Sequence, residues 1–137
     1  MPVTPSQLKK LKSEARAASR RAYAPYSKFK VGAAILTKSG KIYAGCNVEN
    51  ASYGLCNCAE RTAIFSAVAA GEKKPDLQCV VVYTSTPKAT APCGACRQVI
   101  YEFGPKARVV FTCRSKDRQD HTITELLPKA FGPVDLV

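Results

Sequence analysis

The chain is predicted to be an α/β protein. The expected architecture is a three-layer α/β/α arrangement around a five-stranded mixed, mostly parallel sheet. Three observations predict it. Segments with helical periodicity alternate with short β-branched runs, which is the signature of strand–helix–strand crossovers. Gly71 and Gly104 stop two of the helical segments, and Lys38-Ser39-Gly40 turns the chain between two strands. The length of 137 residues suits one domain, residues 1–137, which buries roughly two-thirds of the surface its unfolded chain exposes.

The elements follow in order. Thr4-Pro5-Ser6-Gln7 reads as a helix start, with Thr4 as cap, Pro5 in the first position and Gln7 closing a capping box. Leu8, Leu11, Ala15, Ala18 and Ala22 then fall on one face at helical spacing. After a turn-rich connection, residues 28–37 (KFKVGAAILT) predict a strand in which Gly32 marks a bulge or a close approach. Lys38-Ser39-Gly40 turns the chain into a second strand over residues 41–48 (KIYAGCNV), making a hairpin. Residues 49–57 form a polar loop. A helix follows over residues 58–70, stopped by Gly71. Residues 77–84 (LQCVVVYT) are a buried strand. A third helix covers residues 93–103 up to Gly104, and residues 107–112 (ARVVFT) are another strand. A polar loop is expected over residues 114–120, then a tail holding a short strand or helical turn.

Composition narrows the function classes. The chain is 46% hydrophobic and 23% charged, and no apolar run approaches the roughly 18 residues a membrane span needs. MPVTPSQLKKLK lacks the apolar core of a secretory signal, so a cytoplasmic location is expected and no membrane. Seven cysteines in such a chain point to metal ligands or reactive thiols rather than a disulfide framework. The net charge is +11. Eight basic residues among the first thirty, against Glu14 alone, supply +7 of it. They fall mostly opposite the apolar face of the first helix, so a solvated face accounts for them without nucleic acid.

The chemistry concentrates in two clusters, GLCNCAERTA (54–63) and PCGACRQ (92–98). Two helices are predicted to begin at cysteines. A helix mouth carries unpaired N–H groups and partial positive charge, which lowers a thiol's pKa and favours the thiolate that binds metal. Cys93 and Cys96 are three apart on one face of a first turn, a zinc-chelating spacing that a redox pair also shows. Glu60 follows Cys58 by two. Both can face one metal only if Cys58 occupies the irregular first position of its helix. A glutamate beside a metal-bound water can then accept and deliver its proton. The residues alone leave a closed four-thiol zinc site, using Cys56 as well, as an alternative.

The constellation C-A-E … P-C-x-x-C resembles that of zinc-dependent nucleobase deaminases. With YAPYSKFKVGAA (23–34), NVENASYG (47–54), CAERTAI (58–64), PCGACRQV (92–99) and ELLPKAFGP (125–133), the chain resembles the small homotetrameric cytidine deaminases along nearly its whole length. That resemblance implies one Zn²⁺ per chain, held by Cys58, Cys93 and Cys96, with Cys56 a bystander. It implies Glu60 as the proton shuttle and Arg61 as the cation that offsets thiolate charge. Phe29, Asn47, Glu49 and Ala59 would contact the nucleoside. Tyr53 and Phe131 would reach a neighbouring subunit's pocket. The implied reaction is deamination of cytidine and deoxycytidine to uridine and deoxyuridine with release of ammonia, a step of pyrimidine salvage. The alternative is a deaminase acting on cytosine in RNA or single-stranded DNA. The ribose-type motif and a pocket closed by neighbours favour the free nucleoside.

Overall fold

A computed structural model describes residues 2–136. The first helix, α1 (Pro5–Ser19), starts as its sequence dictates. The Thr4 hydroxyl accepts the Gln7 N–H and the Gln7 side chain accepts the Thr4 N–H. Strands β1 (Val31–Thr37) and β2 (Ile42–Cys46) form a hairpin, and a 3₁₀ turn follows at Tyr53–Leu55. Helix α2 (Ala59–Ala69), β3 (Leu77–Thr84), α3 (Gly94–Phe103), β4 (Arg108–Thr112), β5 (Arg118–Thr122) and a short α4 (Ile123–Leu126) complete the regular elements, and a 3₁₀ turn at Pro133–Leu136 closes the tail. Gly71 ends α2 in a left-handed conformation, φ +102°. Among the described residues no helix is long and apolar enough to cross a membrane.

The five strands form one mixed sheet in the order β2-β1-β3-β4-β5. The expectation of a mostly parallel sheet needs correction, because only β3 and β4 pair parallel while the other three pairings are antiparallel. The crossover β2–α2–β3 does join strands that run the same way. The hairpin, however, puts β1 between them, antiparallel to both. The expected loop at 114–120 is also half strand. Residues 118–122 (RQDHT) turn back onto β4 with Arg108 opposite Thr122 and Thr112 opposite Arg118. Exposed on nearly every residue, this edge strand carries no apolar alternation by which a sequence reading would find it.

Helices cover both faces. Leu8, Leu11 and Ala15 of α1 bury against Ala34, Leu36, Cys79 and Val81 on one side. Ala63, Ile64 and Ile100 from α2 and α3 pack against Ile35, Val80, Val109 and Phe111 on the other. His121 stacks on Phe111 at 5.7 Å between ring centroids and is not part of the three-cysteine group that could hold a metal ion. Gly32 is the close-approach point: a Cβ there would lie 1.8 Å from the Ala15 carbonyl oxygen and 2.5 Å from the Ser19 nitrogen. Backbone cannot yield as a side chain would, so Gly32→Ala is expected to cost roughly 3 kcal/mol, the upper end of overpacking penalties. Gly54→Ala, where nothing lies within 4 Å, should leave the urea midpoint almost unchanged. Equal midpoints for the two variants would refute this packing account.

Candidate active site

Helices α2 and α3 both begin at cysteines. Cys58 and Cys93 are their N-caps, with extended backbones (φ −76°, ψ 156° and φ −67°, ψ 168°), and neither helix has a side-chain cap hydrogen bond. The first-turn N–H groups of both helices therefore face the same small region, a partial positive charge shared by two helix mouths. Cys96, in the first turn of α3, is fully buried. The three sulfurs lie within 4.8 Å of one another, with Cys58 and Cys93 3.7 Å apart. Because Cys58 is the extended cap rather than a helical residue, Glu60 escapes the two-apart opposition of a regular helix. It lines the same cavity as Cys58 and is 4% exposed.

Several contacts fix this end of α2. The Asn57 amide donates to the Thr62 hydroxyl, which in turn donates to the Cys58 carbonyl. Gly45 of β2 lets the first turn of α2 come close, since a Cβ there would meet the Ala63 nitrogen at 2.4 Å. Arg97 secures the α3 side, donating from Nε to the Pro92 carbonyl at 2.8 Å and from Nη1 to the Leu126 carbonyl at 2.9 Å.

The electrostatics follow from crowding three thiols with a buried acid. The Cys58 thiol is drawn down to about 5, chiefly by the hydrogen bond from the Cys96 thiol, with further donors in Arg61 and Cys93. The Cys96 thiol is pushed well up because it holds the proton that Cys58 accepts, and because it is buried. Burial raises the Glu60 carboxyl to about 7, with the Cys58 thiolate adding to the effect. Arg61 donates from Nη2 to Cys58 Sγ at 3.3 Å, and its pKa moves up on account of that bond. Its Nε is buried and has no hydrogen-bond partner among the described residues.

This donor set fits zinc. Three clustered thiolates are soft ligands of the right kind, and three protein ligands leave a fourth position free. One thiol is already disposed to ionise, and metal uptake would release the remaining protons. Cys56 stands apart. Its sulfur accepts the Asn50 N–H at 3.3 Å, and its thiol lies 3.6 Å from the Asn50 carbonyl.

Beside the cluster is a cavity of about 290 Å³ lined by Phe29, Asn47, Glu49, Cys56, Asn57, Cys58, Ala59, Glu60 and Cys93, together with Val31, Val82, Thr84, Thr90 and Ala91. The sequence-predicted nucleoside contacts Phe29, Asn47, Glu49 and Ala59 thus sit with the cysteines and Glu60. Asn47 and Glu49 also hold the α1–β1 connection. The Asn47 amide accepts from the Val31 N–H at 2.9 Å and donates to the Phe29 carbonyl at 2.7 Å. The Glu49 carboxylate accepts the N–H groups of Tyr26 and Ser27 and the Ser27 hydroxyl, and the hydroxyl bond holds its carboxyl below the usual range. Tyr53 and Phe131 line no part of this cavity. Tyr53, 74% exposed, packs edge-on to Tyr26. Phe131, 58% exposed, is presented by a tail whose Phe131 carbonyl accepts the Gln98 amide at 2.8 Å. Sequence reasoning missed Ser27, Arg97 and Gln98. The available signal was their place inside the quoted motifs, Ser27 between two aromatics and the Arg-Gln pair directly after Cys96.

Residues 5–113 match the family described as the cytidine and deoxycytidylate deaminase zinc-binding region. The cytidine deaminase of Sporosarcina psychrophila is 48% identical over 130 residues, covering 94% of each chain. That of Halalkalibacterium halodurans is 48% identical over 124 residues, covering 90% of this chain and 92% of its own. The crystal structure of cytidine deaminase from Burkholderia pseudomallei shares the fold with a TM-score of 0.86 at 54% identity, over 90% of this chain and 98% of that one.

Proposed function

This chain belongs to the cytidine and deoxycytidylate deaminase family, and we propose that its cavity takes cytidine and deoxycytidine and hydrolyses each to the uracil nucleoside and ammonia. The observation that carries this reading is a buried glutamate with a near-neutral pKa beside three converging thiols, all at the wall of one nucleoside-sized cavity. Zinc held by Cys58, Cys93 and Cys96 would supply the Lewis acidity that makes water nucleophilic at neutral pH. Glu60 takes the water's proton and hands it to N3 of the base. The C4–O bond forms first, giving a tetrahedral carbon. Glu60 then takes the remaining proton from that oxygen and delivers it to the amino group, so that the C4–N bond breaks, ammonia leaves and the C4 carbonyl forms. The Glu60 pKa near 7 suits both acceptance and donation. Phe29 packs on the base and Ala59 forms the cavity wall beside it. Asn47 and Glu49 offer an amide and a carboxylate to the sugar hydroxyls.

Three thiolates would leave the metal with a net negative charge and a weak pull on water. Arg61 offsets this by withdrawing electron density through its bond to Cys58. Arg61→Gln is expected to lower kcat roughly ten- to a hundredfold while zinc per chain stays close to wild type. An unchanged kcat with the same zinc content would remove Arg61 from the mechanism.

The active unit is proposed to be a homotetramer of single-domain chains in the cytoplasm. Helix α2 is apolar on its outer face as well as its inner one, with Phe65 and Val68 exposed at 47% and 43%. A helix that leaves two large apolar side chains in solvent opposite its buried face calls for cover on that side too. Tyr53 and Phe131, exposed and lining no part of their own cavity, then complete a neighbour's. The direct test follows ammonia release from cytidine, deoxycytidine, cytosine, CMP and a cytosine-containing oligonucleotide. Turnover of the two nucleosides, insensitive to salt, is expected. Turnover confined to the oligonucleotide and collapsing with salt would replace this reading with a polymer-directed deaminase.

A further inference from the structure

Ser27 lies in the connection between α1 and β1, outside the residues so far given a role in the reaction. Its hydroxyl makes two hydrogen bonds at once, donating to Glu49 Oε2 and accepting the Phe29 N–H at 3.0 Å. The other carboxylate oxygen, Oε1, accepts the N–H groups of Tyr26 at 3.0 Å and Ser27 at 3.2 Å. Three donors from two adjacent residues thus fix both oxygens of a half-buried side chain. A carboxylate has about four acceptor positions. Oε1 uses two and Oε2 one, so Oε2 keeps an unused lone pair on a residue that lines the cavity.

The backbone explains how one hydroxyl reaches both partners. Lys28 follows with φ +60°, a left-handed conformation uncommon for a residue with a Cβ. It folds the chain back so that the Phe29 amide meets Ser27 Oγ. Asn47 then grips the same segment from its far end, through the Phe29 carbonyl.

We infer that Ser27 is a positioning residue that aims the Glu49 carboxylate at the sugar hydroxyls and, through the Phe29 amide, sets the aromatic ring against the base. One hydroxyl would therefore couple the sugar end of the cavity to the base end. The inference rests on the proposed reading of Glu49 and Phe29 as nucleoside contacts. It adds to that reading a residue that touches neither substrate nor metal.

The test is a double-mutant cycle read as separate kcat and KM for cytidine. Ser27→Ala is expected to raise KM about tenfold, the loss of one hydrogen bond to a charged group, with kcat changed less than about threefold and zinc content unchanged. Ser27→Thr, which keeps the hydroxyl, should recover most of the KM. In a Glu49→Ala background, Ser27→Ala should add less than about twofold, because coupled residues are not additive. Ser27→Cys, a weaker donor of similar size, should give an intermediate KM and serves if the alanine variant does not fold. A tenfold rise that persists without Glu49, or Ser27→Ala kinetics like wild type while Glu49→Ala raises KM, would overturn the inference and leave the nucleoside reading standing. An unchanged KM for Glu49→Ala alone would overturn the assignment of Glu49 and this inference with it.

Discussion

Cys58→Ala is expected to abolish both zinc binding and turnover, whereas Cys56→Ala should leave both at wild-type levels. The two thiols are two positions apart in sequence and line the same cavity, yet only Cys58 belongs to the three-sulfur cluster. Cys58 caps α2, sits 3.7 Å from Cys93, and is drawn toward the thiolate by its neighbours. Cys56 spends its sulfur on the Asn50 backbone in the preceding loop. With Cys58 gone, two thiols remain and the chelate that concentrates the metal is broken. Zinc per chain by atomic absorption, measured with ammonia release, checks both halves. Loss of zinc in the Cys56 variant would make the centre a closed four-thiol site with no position for water, and the hydrolytic mechanism would fall.

Glu60→Gln should leave zinc bound and reduce kcat by at least about 10³-fold, within the range of a positioned acid–base group. A second signature follows from its burial. The carboxyl has a pKa of about 7 in the folded protein against 4.5 ordinarily, so between those values the folded chain holds a proton that the unfolded chain has lost. Stability of the metal-free protein therefore falls as pH rises through this window, and above pH 7 the full cost is about 3 kcal/mol. Glutamine removes the ionisation. The metal-free variant should melt several degrees above wild type at pH 8, with the gap mostly closed at pH 5. A gap of the same size at both pH values would mean that Glu60 is not held neutral by its site.

Much of this was legible in the chain because single residues had single physical reasons. Thr4 and Gln7 announce a capped helix. The run of β-branched residues at 77–84 can only be a buried strand. The two cysteine clusters carry a spacing that few other chemistries need. What escaped lies in relations between distant residues. The direction of β1 against β3 depends on which strands become neighbours, and alternation of strand and helix does not encode that. The edge strand at 118–122 presents polar side chains nearly throughout, so no apolar alternation announces its pairing with β4, which the Arg108–Asp120 ion pair and the His121–Phe111 stack reinforce. The roles of Ser27 and Arg97 come from hydrogen bonds to carboxylate and carbonyl partners many residues away, which leave no periodic trace.

The uncapped mouths of α2 and α3 have one more consequence. The positive ends of those helices belong to the main chain, so their share in balancing three thiolates is the same whatever side chains surround them. In the proposed centre Arg61 would provide the remainder, through one side chain that donates to Cys58 and that a single codon change can replace. Such a centre would combine a constant contribution with a variable one. Position 61 would then be where inherited variation adjusts the reactivity of a bound metal.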